Sequence, residues 1–340
     1  MPLSKPYITF CIPAYNSEPF LHVALDSLMR FDSRIEVLVI DDGSTDKTFE
    51  IAKGYAARFP IFRVIHQENK GHGGAVNTAI KEAKGRFFKV LDSDDWVDVN
   101  ALNALLVDIE RCEAFPDVYI MDYTYWEGYE RENTTISYER CLPERRTTSM
   151  DSVRRMLIKQ NFTVHSAMFR TELLRVSEVN LPEHCSYDDN YLVYACLCAG
   201  KTIRYLHRSL YQYMIGREGQ SMSSANLYRK WGDIILTSEL VYQYRDIAPL
   251  KKKNPGLYRL LMHHLYLIVC MVPTVCQING SPEATEAMRA FFDRCKQSKP
   301  EQYKLVRRHL ILRLMTMKGK LGRFNTRVVV GVARKVVKFN

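Results

Sequence analysis

Apolar runs and helical patterns alternate along the first 110 residues. YITFCIP (7–13), IEVLVID (35–41), IFRVIHQ (61–67) and RFFKVLD (86–92) are short and nearly continuous in apolar character. That is the pattern of strands buried on both faces. Residues 17–30, 46–59, 73–84 and 98–112 show helical spacing instead, with Ser17 a candidate cap for the first and Gly85 a stop for the third. Strand–helix alternation with short connections predicts an α/β fold with a doubly wound, mostly parallel sheet. In such sheets the ligand cleft lies beyond the carboxyl ends of the strands.

After residue 112 the pattern changes. VYIMDYTYWEG (118–128) predicts an aromatic-rich strand with 134–140 as its partner, and 150–160 reads as a helix. The polar, aromatic segment 161–224 holds short strands near 201–206 and 209–215. From about 225 the chain reads as helices punctuated by Gly256, Gly280, Gly319 and Gly322. The stretch LLMHHLYLIVCMVPTVC (260–276) is the most apolar. It carries His263 and His264, ends near Pro273 and is short for a span, so a buried helix is expected, with a re-entrant segment as the alternative.

Two strands end in carboxylate clusters: Asp41, Asp42 and Asp46 in IDDGSTD, and Asp92, Asp94 and Asp95 in LDSDDW. Carboxylates gathered at a cleft repel one another, and a divalent cation relieves them. Alternate strand residues share a face, so the D-x-D pair Asp92 and Asp94 projects into one cleft. Oxygen-rich sites of this kind suit Mn²⁺ or Mg²⁺ bridging to phosphates. The competing reading is a set of caps and turns. The metal reading expects acids of neighbouring strand tips, Asp42 and Asp94 among them, to share one pocket. The KGHGG turn (70–74) opens a helix and fits either a phosphate cradle or tight helix–sheet packing. It has neither a P-loop's Lys-Ser/Thr nor a dinucleotide fingerprint.

IPAYN (12–16), VIDDGSTDKT (39–48), HQENKGHGGAVNTAI (66–80) and AKGRFFKVLDSDDW (83–96) together resemble family 2 of the glycosyltransferases, of the bacterial envelope and capsule polysaccharide type. The resemblance covers residues 7–100 and implies a GT-A fold. It implies that Pro13, Ala14 and Tyr15 line a nucleoside pocket and that Asp41 or Asp42 accepts a hydrogen bond from the base. Asn69 would sit beside the nucleotide, and Ser93 would lie with Asp92 against the nucleotide sugar. Asp92 and Asp94 would ligate the metal, Asp94 foremost. Many relatives carry Arg–Asn where this chain has Val76–Asn77, and the candidates to stand in for that Arg are His72, Lys70 and Lys89.

Transfer to a hydroxyl needs a base, because the acceptor oxygen loses a proton as it attacks the anomeric carbon. LPEHCSYDDNYLVYACL (181–197) offers Asp188 and Asp189 before a helical pattern. Relatives often carry Glu-Asp there, with the second acid as base, which points to Asp189. The alternative is a helix cap. In YQYMIGREGQSMS (211–223), Arg217 suits a diphosphate, with Gln220 and Ser221 beside it; a surface loop is the alternative. Trp96, Tyr123, Tyr125, Trp126 and Tyr129 suit either sugar rings or core packing, and His165 reads as structural, with an approach to the acceptor as the alternative.

The net charge of +10 is local. Residues 301–340 hold five Lys and six Arg against Glu301, which leaves 37 groups of each sign in the rest of the chain. Along 323–339, Val328, Val332, Val336 and Phe339 share one helical face, while Arg323, Arg327, Arg334 and Lys338 share another. This predicts an interfacial helix on an anionic membrane, with a solvated amphipathic helix packed on the domain as the alternative, rather than a nucleic-acid tail. Nine cysteines without a repeated spacing, and a start (MPLSKPYITF) without an apolar core, fit a cytoplasmic protein peripheral on the inner membrane face.

The parts are then a GT-A domain over 1–222, with a nucleotide half of about 1–112 and an acceptor half of about 113–222. A helical C-terminal region over 223–340 follows, basic and amphipathic from about 301. The activity that the resemblance implies is inverting transfer from a nucleoside diphosphate sugar, UDP-linked, to a hydroxyl of a glycan, lipid-linked or envelope polymer acceptor. The rivals are a non-catalytic nucleotide-sugar-binding scaffold and a nucleotidyltransferase.

Overall fold

The computed structural model describes residues 5–29, 32–127, 133–216 and 224–337. The chain forms two compact units, one of Met1–Arg154 with Phe162–Arg217 and one of Arg155–Asn161 with Glu218–Asn340.

The first unit runs β1 (Ile8–Ala14), α1 (Leu21–Ser27), β2 (Ile35–Asp41), α2 (Thr48–Arg58), β3 (Phe62–His66), α3 (Gly71–Glu82), β4 (Phe87–Val90), β5 (Trp96–Val97), α4 (Val99–Glu110) and β6 (Val118–Trp126). It continues with β7 (Thr134–Ile136), β8 (Thr148–Ser149), β9 (Ala167–Arg170), α5 (Thr171–Val176), α6 (Asp189–Ala199) and β10 (Thr202–Met214). One mixed sheet has the order β3-β2-β1-β4-β9-β6-β10-β5, with β7 on β6 and β8 on β10. β1 to β4 are mutually parallel, and β6 pairs β10 in parallel. β9 is antiparallel to both its neighbours, so β6 and β10 point the same way as β4. Their carboxyl ends therefore share one edge with those of β1 to β4. β1 and β2 are buried along their whole length, which is why their sequences read as unbroken apolar runs.

Several local expectations change. Ser17 is not a helix cap: its carbonyl accepts from the N–H groups of Phe20 and Leu21, and its own N–H donates to Thr48 Oγ1 at 2.7 Å. The helix expected over 150–160 is two 3₁₀ turns, Met150–Ser152 and Ile158–Gln160. Pairing of Thr148 and Ser149 with β10 draws the backbone into the sheet, and 155–161 joins the second unit. The two strands near 201–215 are one strand with register shifts at Leu206/Ser209 and Ser209/Tyr211.

The second unit is helical: α7 (Ser224–Arg229), α8 (Trp231–Tyr244), α9 (Leu250–Lys253), α10 (Pro255–Asn279), α11 (Pro282–Ser298), α12 (Pro300–Val306), α13 (Leu310–Met315) and α14 (Gly319–Val337). α10 runs through Pro273 rather than ending there; Asn254 Oδ1 caps it through Leu257 N–H at 3.1 Å, and Gly280 closes it at φ +74°. It is long and apolar enough to cross a bilayer, with mean hydropathy 1.6. Most of that window is nevertheless buried, and α8, α11, α13 and α14 pack on the helix.

Candidate active site

Register sets the side of the site formed by the tips of β1, β2 and β3. Ala14 pairs Asp41, and Asp41 pairs His66, so the tips of β1, β2 and β3 are level. Asp41 is fully buried, and His66 Nδ1 lies 2.5 Å from its Oδ2. Its Oδ1 is buried with no hydrogen-bond partner among the described residues. Tyr15, just past Pro13 and Ala14 at the tip of β1, is 53% exposed. Asp42 is buried, and its Oδ1 accepts from Gln67 Nε2 at 2.7 Å and from Lys70 N–H at 2.9 Å. Asn69 Oδ1 accepts from Gly71 N–H at 3.2 Å. The chain at Asn69 crosses so close to Gly43 (φ +74°) that a Cβ there would lie 2.9 Å from the Asn69 nitrogen.

Among the described residues the group able to hold a metal ion is Asp92, Asp95 and His165, and Asp41, Asp42 and Asp46 are not part of it. β1 lies between β2 and β4, which sets their tips about 10 Å apart. Asp42 is engaged by Gln67 and Lys70. Asp46 belongs to the turn, accepting from the N–H groups of Glu18 and Thr48.

The second cluster follows β4. Asp92 Oδ2 accepts from the Tyr211 hydroxyl at 3.1 Å and lies 3.8 Å from His165 Nε2. Its Oδ1 lies 3.6 Å from His72 Nε2. Burial opposes its charge, yet His72, His165 and Tyr211 outweigh burial and hold its pKa down to about 2. Asp95 is fully buried and accepts from Tyr211 at 2.5 Å and from Met214 N–H at 2.8 Å. Burial and the neighbouring Asp92 and Asp94 push its carboxyl well above the usual range. Ser93 Oγ lies 2.8 Å from Ser17 Oγ, and Asp94 is partly exposed. Asp92, Asp95 and His165 present donor atoms within 4.8 Å of one another. This excess of negative charge and this donor set fit a hard divalent cation.

The third group comes from the segment before α6, and α3 holds it. Asn77 makes a reciprocal pair with the Leu181 backbone, at 2.8 and 3.0 Å, and His184 N–H donates to the Lys70 carbonyl at 2.9 Å. A Cβ on Gly73 would lie 2.5 Å from both Asp188 Oδ2 and the Pro182 carbonyl oxygen. Of the two readings of KGHGG, close packing is therefore the one the structure displays. Asp188 is buried, and His72 Nδ1 lies 2.9 and 3.1 Å from its two oxygens. Burial works against charge on His72, but Asp188 and Asp92 prevail and raise its pKa well above 6.5. Asp189, the first residue of α6, is partly buried; burial and Asp188 push its carboxyl up to about 7.

Aromatic rings close the side of the site along β6 and β10. His165 stacks on Tyr213 with ring centres 4.5 Å apart and meets Tyr211 edge-on at 4.8 Å. Burial lowers its pKa to about 4, so it is neutral at pH 7. Lys89 donates to the carbonyls of Val164, His165 and Ala167, which fixes the loop carrying His165. Tyr123 is buried, while Trp96 and Trp126 are partly exposed and meet edge to face at 5.3 Å. Arg217, Gln220, Ser221 and Tyr129 lie outside the described residues. The sequence did not single out Tyr211 or His66, because an alternating tyrosine or a strand-end histidine carries no signal of its own.

The model of glycosyl transferase family 2 matches residues 9–176. An uncharacterized glycosyltransferase, EpsJ of Bacillus subtilis, is 40% identical over 107 residues, 31% of each chain. The poly(ribitol-phosphate) β-N-acetylglucosaminyltransferase TarS of Staphylococcus aureus is 29% identical over 63% of this chain and 36% of its own. Matches to these relatives thus span about a third of their lengths. The solved structure of TarS residues 1–349 superposes with a TM-score of 0.70 at 21% identity, covering 97% of this chain and 92% of that one. Its complex with UDP-GlcNAc gives 0.65 at 20% identity, with the same coverage. A mannosyltransferase of Pyrobaculum calidifontis, solved with GDP-Man and Mn²⁺, gives 0.51 at 16% identity, covering 99% and 88%. The sheet order, the acids on its carboxyl edge and the family match agree: residues 9–176 match glycosyltransferase family 2, and the chain has a GT-A fold with a helical C-terminal region.

Proposed function

We propose that the chain transfers an N-acetylhexosaminyl group from a UDP-sugar to a hydroxyl of a bacterial envelope polymer, with inversion at the anomeric carbon. One observation carries this reading. On one sheet edge, donor-side Asp92 and acceptor-side Asp188, next to Asp189, meet across a single histidine. The orphaned Asp41 Oδ1 supports a uracil base, whose imide N–H would satisfy it, whereas cytosine presents an acceptor there. Tyr15 offers the exposed ring on which a base stacks. Asp92 and Asp94 would hold Mn²⁺ or Mg²⁺, which supplies charge neutralisation to the departing diphosphate. Asp189 would take the acceptor's proton, and Asp188 would hold its neighbourhood. Arg217, Gln220 and Ser221 would contact the diphosphate. All of these residues fall in a GT-A part (1–222), and a helical part (223–340) contributes none of them. TarS, named for its poly(ribitol-phosphate) acceptor, supports a polymeric, polyanionic acceptor here.

Thermal-shift titration tests the donor. A UDP-sugar at 100 times its Kd with Mn²⁺ should stabilise the protein by about 2.7 kcal/mol, and GDP- and CDP-sugars should do less. No shift with any UDP-sugar would remove the reading.

The helical unit supports a cytoplasmic membrane-surface location. α14 exposes Leu321, Phe324, Val328 and Val332 along one stripe, while Gly322 and Thr326 on another side are buried. Lys320, Arg323 and Arg327 are exposed beside that stripe. Basic groups near an anionic bilayer contribute about 1 kcal/mol each. The protein should co-sediment with vesicles containing phosphatidylglycerol and not with phosphatidylcholine alone, and Phe324→Glu should abolish it. Equal binding to both vesicle types would reject the membrane assignment.

A further inference from the structure

The residue that replaces the family's Arg can be found by following each candidate. Val76, at the Arg position, is fully buried. Lys89 is committed to three backbone carbonyls, at 2.6, 2.7 and 3.1 Å. Lys70 Nζ faces Glu183 at 3.9 Å on an exposed surface. His72 lies one helical turn before Val76, on the same face of α3. Its ring bridges two carboxylates, Nδ1 to Asp188 at 2.9 Å and Nε2 to Asp92 at 3.6 Å.

Asp188 shows the strength of this arrangement. It stands at the N-cap position of α6 yet makes no side-chain cap hydrogen bond. Caps stabilise helices by about 1 kcal/mol, so something else has claimed the carboxylate. Both its oxygens lie within 3.1 Å of His72 Nδ1. Gly73, where no Cβ fits, lets the acid come that close to α3.

Resting on the transfer reaction proposed above, we propose that His72 is a positioning residue that ties donor-side Asp92 to acceptor-side Asp188, so that the two halves of the site are set together. Asp92 is part of the donor and cation grip, and Asp188 adjoins the proposed base. A change on the acceptor side is then felt at the donor side, through one ring. Separate scaffolds for the two acids would produce no such coupling.

A double-mutant cycle reads this directly. The Kd for UDP in the presence of Mn²⁺ is measured by calorimetry for wild type, Asp188→Ala, His72→Ala and the double variant. Asp188→Ala should weaken binding about fivefold with His72 present, and have no effect once His72 is gone. The same factor in both backgrounds overturns the proposal, as does no effect in either. If His72→Ala does not fold, His72→Leu, which fills the space without an N–H donor, takes its place in the cycle. If the wild type itself fails to bind UDP with Mn²⁺, the transfer reading fails. The cycle then runs on the urea midpoints of the ligand-free protein, where a double variant more stable than the two single losses predict supports the link. Additive midpoints overturn it.

Discussion

Asp189→Asn should lower sugar transfer by about three orders of magnitude while donor affinity stays at the wild-type level. The amide keeps the size of the side chain but cannot accept the acceptor's proton. Asp189, the proposed base, is at the first turn of α6, whereas the proposed contacts to the nucleobase and the cation come from β1, β2 and the turn after β4. The pH profile gives a second check. Burial and Asp188 raise the Asp189 carboxyl to about 7, so below that pH it carries a proton and is no base. kcat/KM should therefore rise with pH through about 7 and level off above, and the asparagine variant should lose that limb. Equal losses of donor binding and turnover would make Asp189 a structural residue, and a flat wild-type profile between pH 6 and 8 would remove it as the base.

What the sequence disclosed follows from how locally each feature is determined. β1 to β4 are apolar runs between amphipathic helices, and their burial on both faces leaves a mark in the residues themselves. β9 was not visible: four residues in a polar, aromatic stretch become a strand only because β4 and β6 stand on either side of them. The register shifts in β10 broke the alternation and made one strand read as two. In the site, carboxylates announced themselves because clustered charge needs compensation. Their partners did not. His72 owes its place to a 116-residue separation closed by the Asn77–Leu181 pair, and no local pattern encodes that. The order of the strands was also hidden. Two acidic tips 50 residues apart read as neighbours, whereas the sheet inserts β1 between them.

Asp94→Ala should reduce turnover by about three orders of magnitude and remove its dependence on Mn²⁺, with little change in melting temperature. A cation at a departing diphosphate contributes several kcal/mol of charge stabilisation, which sets that scale. Asp94 is partly exposed, so its loss opens no cavity in the core. Asp92→Ala is the contrasting case. Its carboxylate faces His72, His165 and Tyr211, so the substitution should both end turnover and lower the melting temperature. Removing Asp94 also withdraws a charge that pushes up the Asp95 carboxyl. The ligand-free variant should therefore be at least as stable as wild type near neutral pH, where a carboxylate crowded by its neighbours is at a disadvantage. Electron paramagnetic resonance of Mn²⁺ in the presence of UDP separates the two acids without relying on catalysis: both variants should leave the ion free in solution, and only Asp92→Ala should also unfold earlier. An Asp94→Ala protein that immobilises Mn²⁺ with UDP as tightly as wild type would take Asp94 out of the cation site and leave the ion to Asp92, Asp95 and His165.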